Sequence, residues 1–262
     1  MTHLSVNVNK IATLRNSRGK NLPNLQVLAA KILSYGVQGL TVHPRPDGRH
    51  IRIPDVWALK QLVEAATPTP FGPIEFNIEG FPSADFLKLI EDVRPNQATL
   101  VPDPPEALTS NAGWDLVAHQ SFLEATLQRL RAAGVRSSLF IDPFQFDKTQ
   151  KEALATLRPD RIELYTERFS DDFHSGQRQA TTDQYVQMAV LATELQIGVN
   201  AGHDLNQENL SYLVSQIPAI KEVSIGHAIF CEALEQGLET TVANYLRILK
   251  NAKSHNPAST ER

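Results

Sequence analysis

The sequence predicts an α/β chain folded as a closed (β/α)8 TIM barrel with extra short helices, and three observations support this. Strand-like and helix-like stretches alternate from end to end, giving eight βα units. The length, 262 residues, suits a fold that typically needs about 250. No Gly/Ser-rich linker divides the chain, and no G-x-G-x-x-G follows any strand, so an open doubly wound sheet lacks support. Residues 1–250 are therefore expected to form a single barrel domain, with the polar, aperiodic stretch 251–262 as a frayed tail.

The first strand is expected at 4–8, where Leu4, Val6 and Val8 interleave with Ser5, Asn7 and Asn9, and a helical stretch over about 24–35 stops at Gly36. The second strand, 39–43, puts Leu40 and Val42 on one side and Thr41 and His43 on the other; a helix over 54–66 follows. The third, 74–79, alternates Ile74, Phe76 and Ile78 with Glu75, Asn77 and Glu79, ahead of a helix over 83–93. The fourth, 97–101, leads into a long Pro-containing connection and a helix over 121–133. The fifth, 136–141, precedes a helix near 148–157. The sixth, 161–165, runs into a long polar connection and a helix over 182–196. The seventh, 197–200, precedes a helix near 207–215, and the eighth, 222–225, ends in helix up to about 250.

Strand alternation carries more information than strand count. Parallel strands buried on both faces usually read as continuous apolar runs, and barrel interiors are normally filled with branched aliphatics. Here Ile162 and Leu164 flank Glu163, and Val223 and Ile225 flank Ser224, as in the first and third strands. The apolar set should face the helices and the polar set the lumen. Carboxylates and amides there are costly unless paired or used, so a polar lumen points to a site.

Bulk composition excludes several classes of function. With 42% hydrophobic and 21% charged residues the chain can build a core, and a net charge of −4 without a basic stripe argues against nucleic acid as a partner. A single cysteine, Cys231, cannot form an internal disulfide and fits a reducing cytoplasm. The start, Met1-Thr2-His3-Leu4, lacks the pattern of a signal peptide, and no apolar window is long enough for a membrane span. The expectation is a cytoplasmic protein with no membrane partner.

The stretch His43-Pro44-Arg45-Pro46-Asp47-Gly48-Arg49-His50 leaves its strand with two histidines and two arginines in eight residues, braced by two prolines. Arg clamps phosphate or carboxylate in a fork and His titrates near neutral pH, which suits an anionic small molecule whose protons are moved. The plainer alternative is a surface turn with solvated charges. Barrel enzymes place their chemistry at the carboxyl ends of the strands. Those ends carry Asn7 and Asn9, His43 and Arg45, Glu79, Thr109 further along the fourth connection, Asp142, Glu163, His203, and Gly226 with His227. Any one histidine could be a hydrogen-bonded core residue, but eight polar or glycine strand ends are harder to explain that way. Gly202-His203 and Gly226-His227 on adjacent strands favour a phosphate cradle, since glycine admits close backbone approach and a helix start attracts phosphate. Histidines and glutamates at strand ends could also suit a divalent metal, but no H-x-H pair or H-E-x-x-H helix appears.

The segments 6–19 (VNVNKIATLRNSRG), 41–50 (TVHPRPDGRH), 138–142 (SLFID), 199–203 (VNAGH) and 225–229 (IGHAI) resemble the pyridoxine 5′-phosphate synthase family, a match running from residue 4 to about 250. The resemblance implies a barrel enzyme of vitamin B6 synthesis that needs no cofactor and no metal. It implies condensation of 1-deoxy-D-xylulose 5-phosphate with 3-amino-2-oxopropyl phosphate to pyridoxine 5′-phosphate, phosphate and water. It further implies His43 and Glu79 as proton acceptors and His203 as proton donor, with Glu163 as possible support. Asn7, Arg18, Gly226 and His227 would hold the amino-ketone phosphate, and Arg45, His50 and Thr109 the sugar phosphate. Many members read Asn-x-Asp-His in the first motif, where this chain has Asn9 and Lys10 at two sugar-phosphate contacts, and glycine after the seventh-strand histidine, where it has Asp204 at a substrate-binding position. Lys10 could still serve an anion as a point charge, and a backbone N–H contact at Asp204 would survive. Family members form octamers, and residues 102 to about 111 would act as a lid. Arg18 lies well after its strand, so its loop is expected to fold back over the barrel mouth. A metal-dependent aldolase or isomerase and a non-catalytic phosphosugar-binding barrel stay open beside this reading.

Overall fold

In a computed structural model of the chain, which describes residues 1–70, 72–103 and 112–252, eight parallel strands pair in sequence order and the last closes onto the first. The chain begins with β1 (His3–Asn7), α1 (Asn9–Asn16), α2 (Leu25–Ser34), β2 (Gly39–Val42) and α3 (Ile53–Ala65). It continues through β3 (Glu75–Gly80), α4 (Ala84–Val93), β4 (Gln97–Leu100), α5 (Gln120–Ala133) and β5 (Arg136–Ile141). A single 3-10 turn (Pro143–Gln145) leads to α6 (Lys148–Leu157), β6 (Arg161–Tyr165), α7 (Glu167–Asp172) and α8 (Arg178–Glu194). The barrel closes with β7 (Gly198–Gly202), α9 (Leu210–Gln216), β8 (Ile220–Ile225), α10 (His227–Gln236) and α11 (Leu238–Ala252).

Local chemistry sets the helix limits. Asn24, Ser83 and Asp147 cap α2, α4 and α6, their side-chain oxygens accepting from the backbone N–H of Val27, Phe86 and Gln150. Gly134 ends α5 with φ 71°, a conformation that costs glycine nothing. Gly237, at φ 79°, splits the single closing helix expected from the sequence into α10 and α11. Helix α11 runs to Ala252, so the expected tail loses its first two residues to the helix and the rest lies outside the described residues.

The alternation seen in the sequence separates two interiors. Leu4, Val6, Leu40, Val42, Phe76 and Ile78 are fully buried in the apolar layer between sheet and helices. The lumen is polar and internally bonded. Ser5 meets Thr41 at 2.7 Å, Asn77 donates to Thr41 at 3.4 Å, and Thr99 donates to Asn77 at 3.1 Å and to Glu163 at 3.5 Å. Below these, Asn200 donates to Gln97 and Glu222 at 3.4 Å and accepts from Arg161 at 2.9 Å. Arg136 pairs with Glu75 at the amino-terminal mouth. Each buried polar group thereby recovers part of what desolvation costs it.

Candidate active site

Among the described residues, two cavities open at the carboxyl-terminal mouth. The first, about 340 Å³, is lined among others by Asn7, Lys10, Glu79, Glu163, His203 and Gly226, with Asp204 and His227 on its wall. The second, about 280 Å³, is lined by His43, Arg45, Phe81 and Asp103 among others. Sequence reasoning therefore brought together residues that the fold does gather, but it did not separate them into two chambers.

Two asparagines, Asn7 at the end of β1 and Asn9 at the start of α1, join the chambers. The Asn7 Nδ2–H donates to Glu79 Oε2 at 3.2 Å, and the Asn9 N–H donates to Asn7 Oδ1 at 3.1 Å. Asn9 Oδ1 in turn accepts from the His43 N–H at 2.9 Å, so its side chain fixes the exit of β2. Glu79 also accepts from Ser224 at 3.5 Å.

Electrostatics divide the titratable groups into acceptors and a donor. Burial disfavours the Glu79 carboxylate and lifts its pKa to about 7; the His203 charge opposes this and the Asp103 charge adds to it. Burial, then the charges of Arg45, His50 and Arg49, holds His43 well below the ordinary imidazole range, so it is neutral at pH 7. His50 stands edge-on to His43 with ring centroids 6.0 Å apart, and burial with Arg45 lowers it to about 4. His203 moves the other way. Burial would lower it, but its bond to Asp204 at 2.8 Å and the Asp204 charge outweigh burial, and the net shift is upward. Glu163, 3% exposed, is raised well above the carboxylate range by burial and by its neighbours Glu79 and Glu222. His43 Nδ1 and Glu79 Oε2, 4.0 Å apart, are too far for a hydrogen bond, and a neutral imidazole makes no ion pair.

Arg45 is buried and donates to Asp103 at 2.9 Å. Sequence reasoning missed Asp103, although its signal was there: a carboxylate just beyond the fourth strand. The eighth strand runs directly into α10 at Gly226, as expected, and the first turn of α10 borders the first cavity. A Cβ at Gly226 would stand 3.0 Å from Asn7 Cβ and its carbonyl oxygen, so that Asn7 would have to shift by a few tenths of an ångström to admit it. Arg18 does not behave as expected. The residues after β1 form α1 instead of a loop, and Arg18 follows it as an exposed residue lining neither cavity. The buried arginine of α1 is Arg15, held bidentately by Asp55 at 2.6 and 2.8 Å. Asn16 donates to the carbonyls of Gly48, Arg49 and His50, so α1 braces the loop that carries His50. Thr109 and most of the expected lid lie outside the described residues. Among the described residues no three His, Cys, Asp or Glu side chains are grouped to hold a metal ion.

The pattern of the family described as "Pyridoxal phosphate biosynthesis protein PdxJ" matches residues 4–251. The chain belongs to the PdxJ family. Its PdxJ-family relatives include a pyridoxine 5′-phosphate synthase from Cytophaga hutchinsonii, 48% identical over 95% of this chain and 100% of the relative. One from Christiangramia forsetii is also 48% identical, with the same coverage. Among solved structures, the tryptophan synthase alpha chain of Legionella pneumophila superposes with a TM-score of 0.62, covering 99% of this chain and 94% of that one. At 14% identity that likeness speaks for the barrel fold alone. No helix among the described residues is long and apolar enough to cross a membrane.

Proposed function

We propose that this PdxJ-family chain is a pyridoxine 5′-phosphate synthase. It condenses 1-deoxy-D-xylulose 5-phosphate with 3-amino-2-oxopropyl phosphate to pyridoxine 5′-phosphate, phosphate and water. The observation that carries the mechanistic part is the pairing of a neutral His43 and a Glu79 titrating near 7 across two adjoining cavities, with His203 raised beside them.

Building an aromatic ring from a ketone and an amine takes repeated proton transfers. The amine and carbonyl join with loss of water, carbon-bound protons must leave before phosphate can depart, and ring closure loses water again. His43 and Glu79 serve as the acceptors: His43 stands neutral at pH 7, and Glu79, titrating at about 7, is the base matched to neutral pH. His203 returns protons to departing oxygens. Glu163, kept protonated by burial and by the charges of Glu79 and Glu222, lines the first cavity as a hydrogen-bonding acid.

Two phosphorylated substrates need two anion sites. The first cavity offers Asn7, Asp204 through its backbone, Gly226 and His227 at the start of α10, which suits the amino-ketone phosphate; Lys10, expected at the sugar phosphate, lines this cavity instead. The second offers the Arg45 fork for the sugar phosphate; His50 is not among its lining residues and stands edge-on to His43, ring centroids 6.0 Å apart. The separation into two chambers, joined where His43 faces Glu79, matches a reaction in which two molecules meet. We also place the enzyme in the cytoplasm as an octamer, by the resemblance stated above; light scattering after size exclusion reads the assembly. Incubation with both substrates, following pyridine absorbance and free phosphate together, tests the assignment. Stoichiometric appearance of both supports it, and ligand binding without phosphate release favours a non-catalytic phosphosugar-binding barrel.

A further inference from the structure

Strand β7 leaves the barrel through two consecutive residues with left-handed backbone, His203 at φ 82° and Asp204 at φ 55°. Neither is glycine, and a side-chain-bearing residue held there is strained unless its surroundings hold it. Here they do. Thr166 Oγ1 donates to the carbonyls of Gly202 and His203, and Asn209 Nδ2 donates to the carbonyl of Asp204 at 3.2 Å. Asn209 is itself buried and accepts from the Asn206 N–H at 2.9 Å. The Tyr165 ring stands edge-on to the imidazole, centroids 5.0 Å apart. This clamped turn sets the two side chains together, with His203 Nδ1 2.8 Å from Asp204 Oδ2, both on the wall of the first cavity.

We propose that Asp204 is a positioning residue for His203: its carboxylate receives the Nδ1–H and thereby leaves Nε2 as the nitrogen that faces substrate. The proposal rests on the reading of His203 as the proton donor. A side chain retained at a left-handed position, where glycine would be least strained, is explained if the carboxylate is used. Asp204 also answers the local charge. Lys10 from α1 and His227 from α10 face it, while Glu167 from α7 and Glu79 from β3 face His203. Asp204 is the one of these acids bonded to the ring, and its contact with His203 is the leading cause of its own lowered pKa. It thus remains a carboxylate, and its charge favours the imidazolium.

Asp204→Asn separates orientation from charge. Asparagine tolerates the left-handed backbone and retains an oxygen for Nδ1–H, but carries no charge. Asp204→Gly removes both. The measurement is the NMR titration of His203, assigned by loss of its signals in His203→Gln, taken with the pH dependence of kcat and KM. In Asp204→Asn, His203 should titrate at lower pH and the alkaline limb of kcat should move down with it. Near pH 8 kcat should fall on the order of 10-fold, less than the roughly 10²–10⁴-fold for loss of a proton-transfer group itself. In Asp204→Gly the titration should move as far and kcat fall further at every pH. An unmoved or raised His203 titration in Asp204→Asn overturns the proposal, as does a lowered titration with an unmoved alkaline limb. If the unaltered protein forms no product, the functional reading fails, while the titration still decides whether Asp204 governs His203.

Discussion

His43 and Glu79 face each other at 4.0 Å, yet each lines a different cavity. They sit at the ends of neighbouring strands, Glu79 held by Asn7 at the end of β1 and His43 by Asn9 at the start of α1. The contact is thus the seam between the chambers, with a neutral imidazole on one side and a carboxyl group titrating at about 7 on the other.

The pH dependence of turnover follows from this arrangement. Glu79 must be ionised to act as a base, so kcat/KM should rise with pH through about 7. His203 must be protonated to act as an acid, so activity should fall again as pH passes its raised pKa. A bell-shaped profile is the expected outcome. A profile that stays flat from about pH 5 to pH 9 contradicts the assignment.

Arg45 is buried against Asp103, with 5% and 2% of their side chains exposed. Arg45→Lys keeps the charge but loses the fork, so KM for the phosphorylated ketose should rise about 10-fold with little change in fold. Arg45→Ala breaks a buried pair and should lower stability by about 3–5 kcal/mol. Steady-state kinetics and thermal melts check the two. Equal KM values for the unaltered enzyme and Arg45→Lys speak against an anion site at Arg45.

Gly226→Ala places a methyl group 3.0 Å from the Asn7 backbone oxygen. Asn7 must give way, and with it the bond to Glu79. Turnover should drop by on the order of 10-fold, since small misplacements near the reacting atoms are costly. Circular dichroism should show an intact barrel. Unchanged turnover means the approach of β1 to α10 has no part in the reaction.

Glu163 makes stability itself sensitive to pH. Its native pKa lies above the unfolded value of about 4.3, so the stability it contributes is present below that value and is lost as pH rises through the native pKa. His43 and His50 act oppositely: their pKa values are depressed in the fold, and their contribution is lost as pH falls below about 6.5. Glu163→Gln should therefore gain Tm over the unaltered protein at pH 8.5 and not at pH 4, each kcal/mol showing as about 2–4 °C. Parallel melting curves across that range would show Glu163 to be ionised in the fold.

Much of this was legible in the sequence, because strand periodicity and strand ends are direct physical signals. Glu75, Asn77 and Glu79 announced a polar lumen by alternating with Phe76 and Ile78, and that lumen is bonded across the barrel through Asn77 and Thr99. Three kinds of feature were not legible. Helix α1 lies in a motif whose polar residues read as loop, and its helical identity depends on packing Ile11, Ala12 and Arg15 against the barrel. Helix α7 has only six residues and Phe169 as its single buried anchor, too short for a 3.6-residue period to show. The division into two cavities depends on which side of the mouth each side chain turns toward, and strand order says nothing of that. Asp103 was passed over because its meaning arises only from Arg45, which lies 58 residues away in the chain.

The most direct test follows both substrates with Glu79→Gln beside the unaltered enzyme, measuring pyridine absorbance and phosphate in one reaction. The unaltered protein should release phosphate and form the ring in equal amounts. Glu79→Gln should lose about 10²–10⁴-fold in rate while melting as a folded barrel. Near-normal ring formation by Glu79→Gln would contradict the central claim that Glu79 takes substrate protons where the two cavities adjoin.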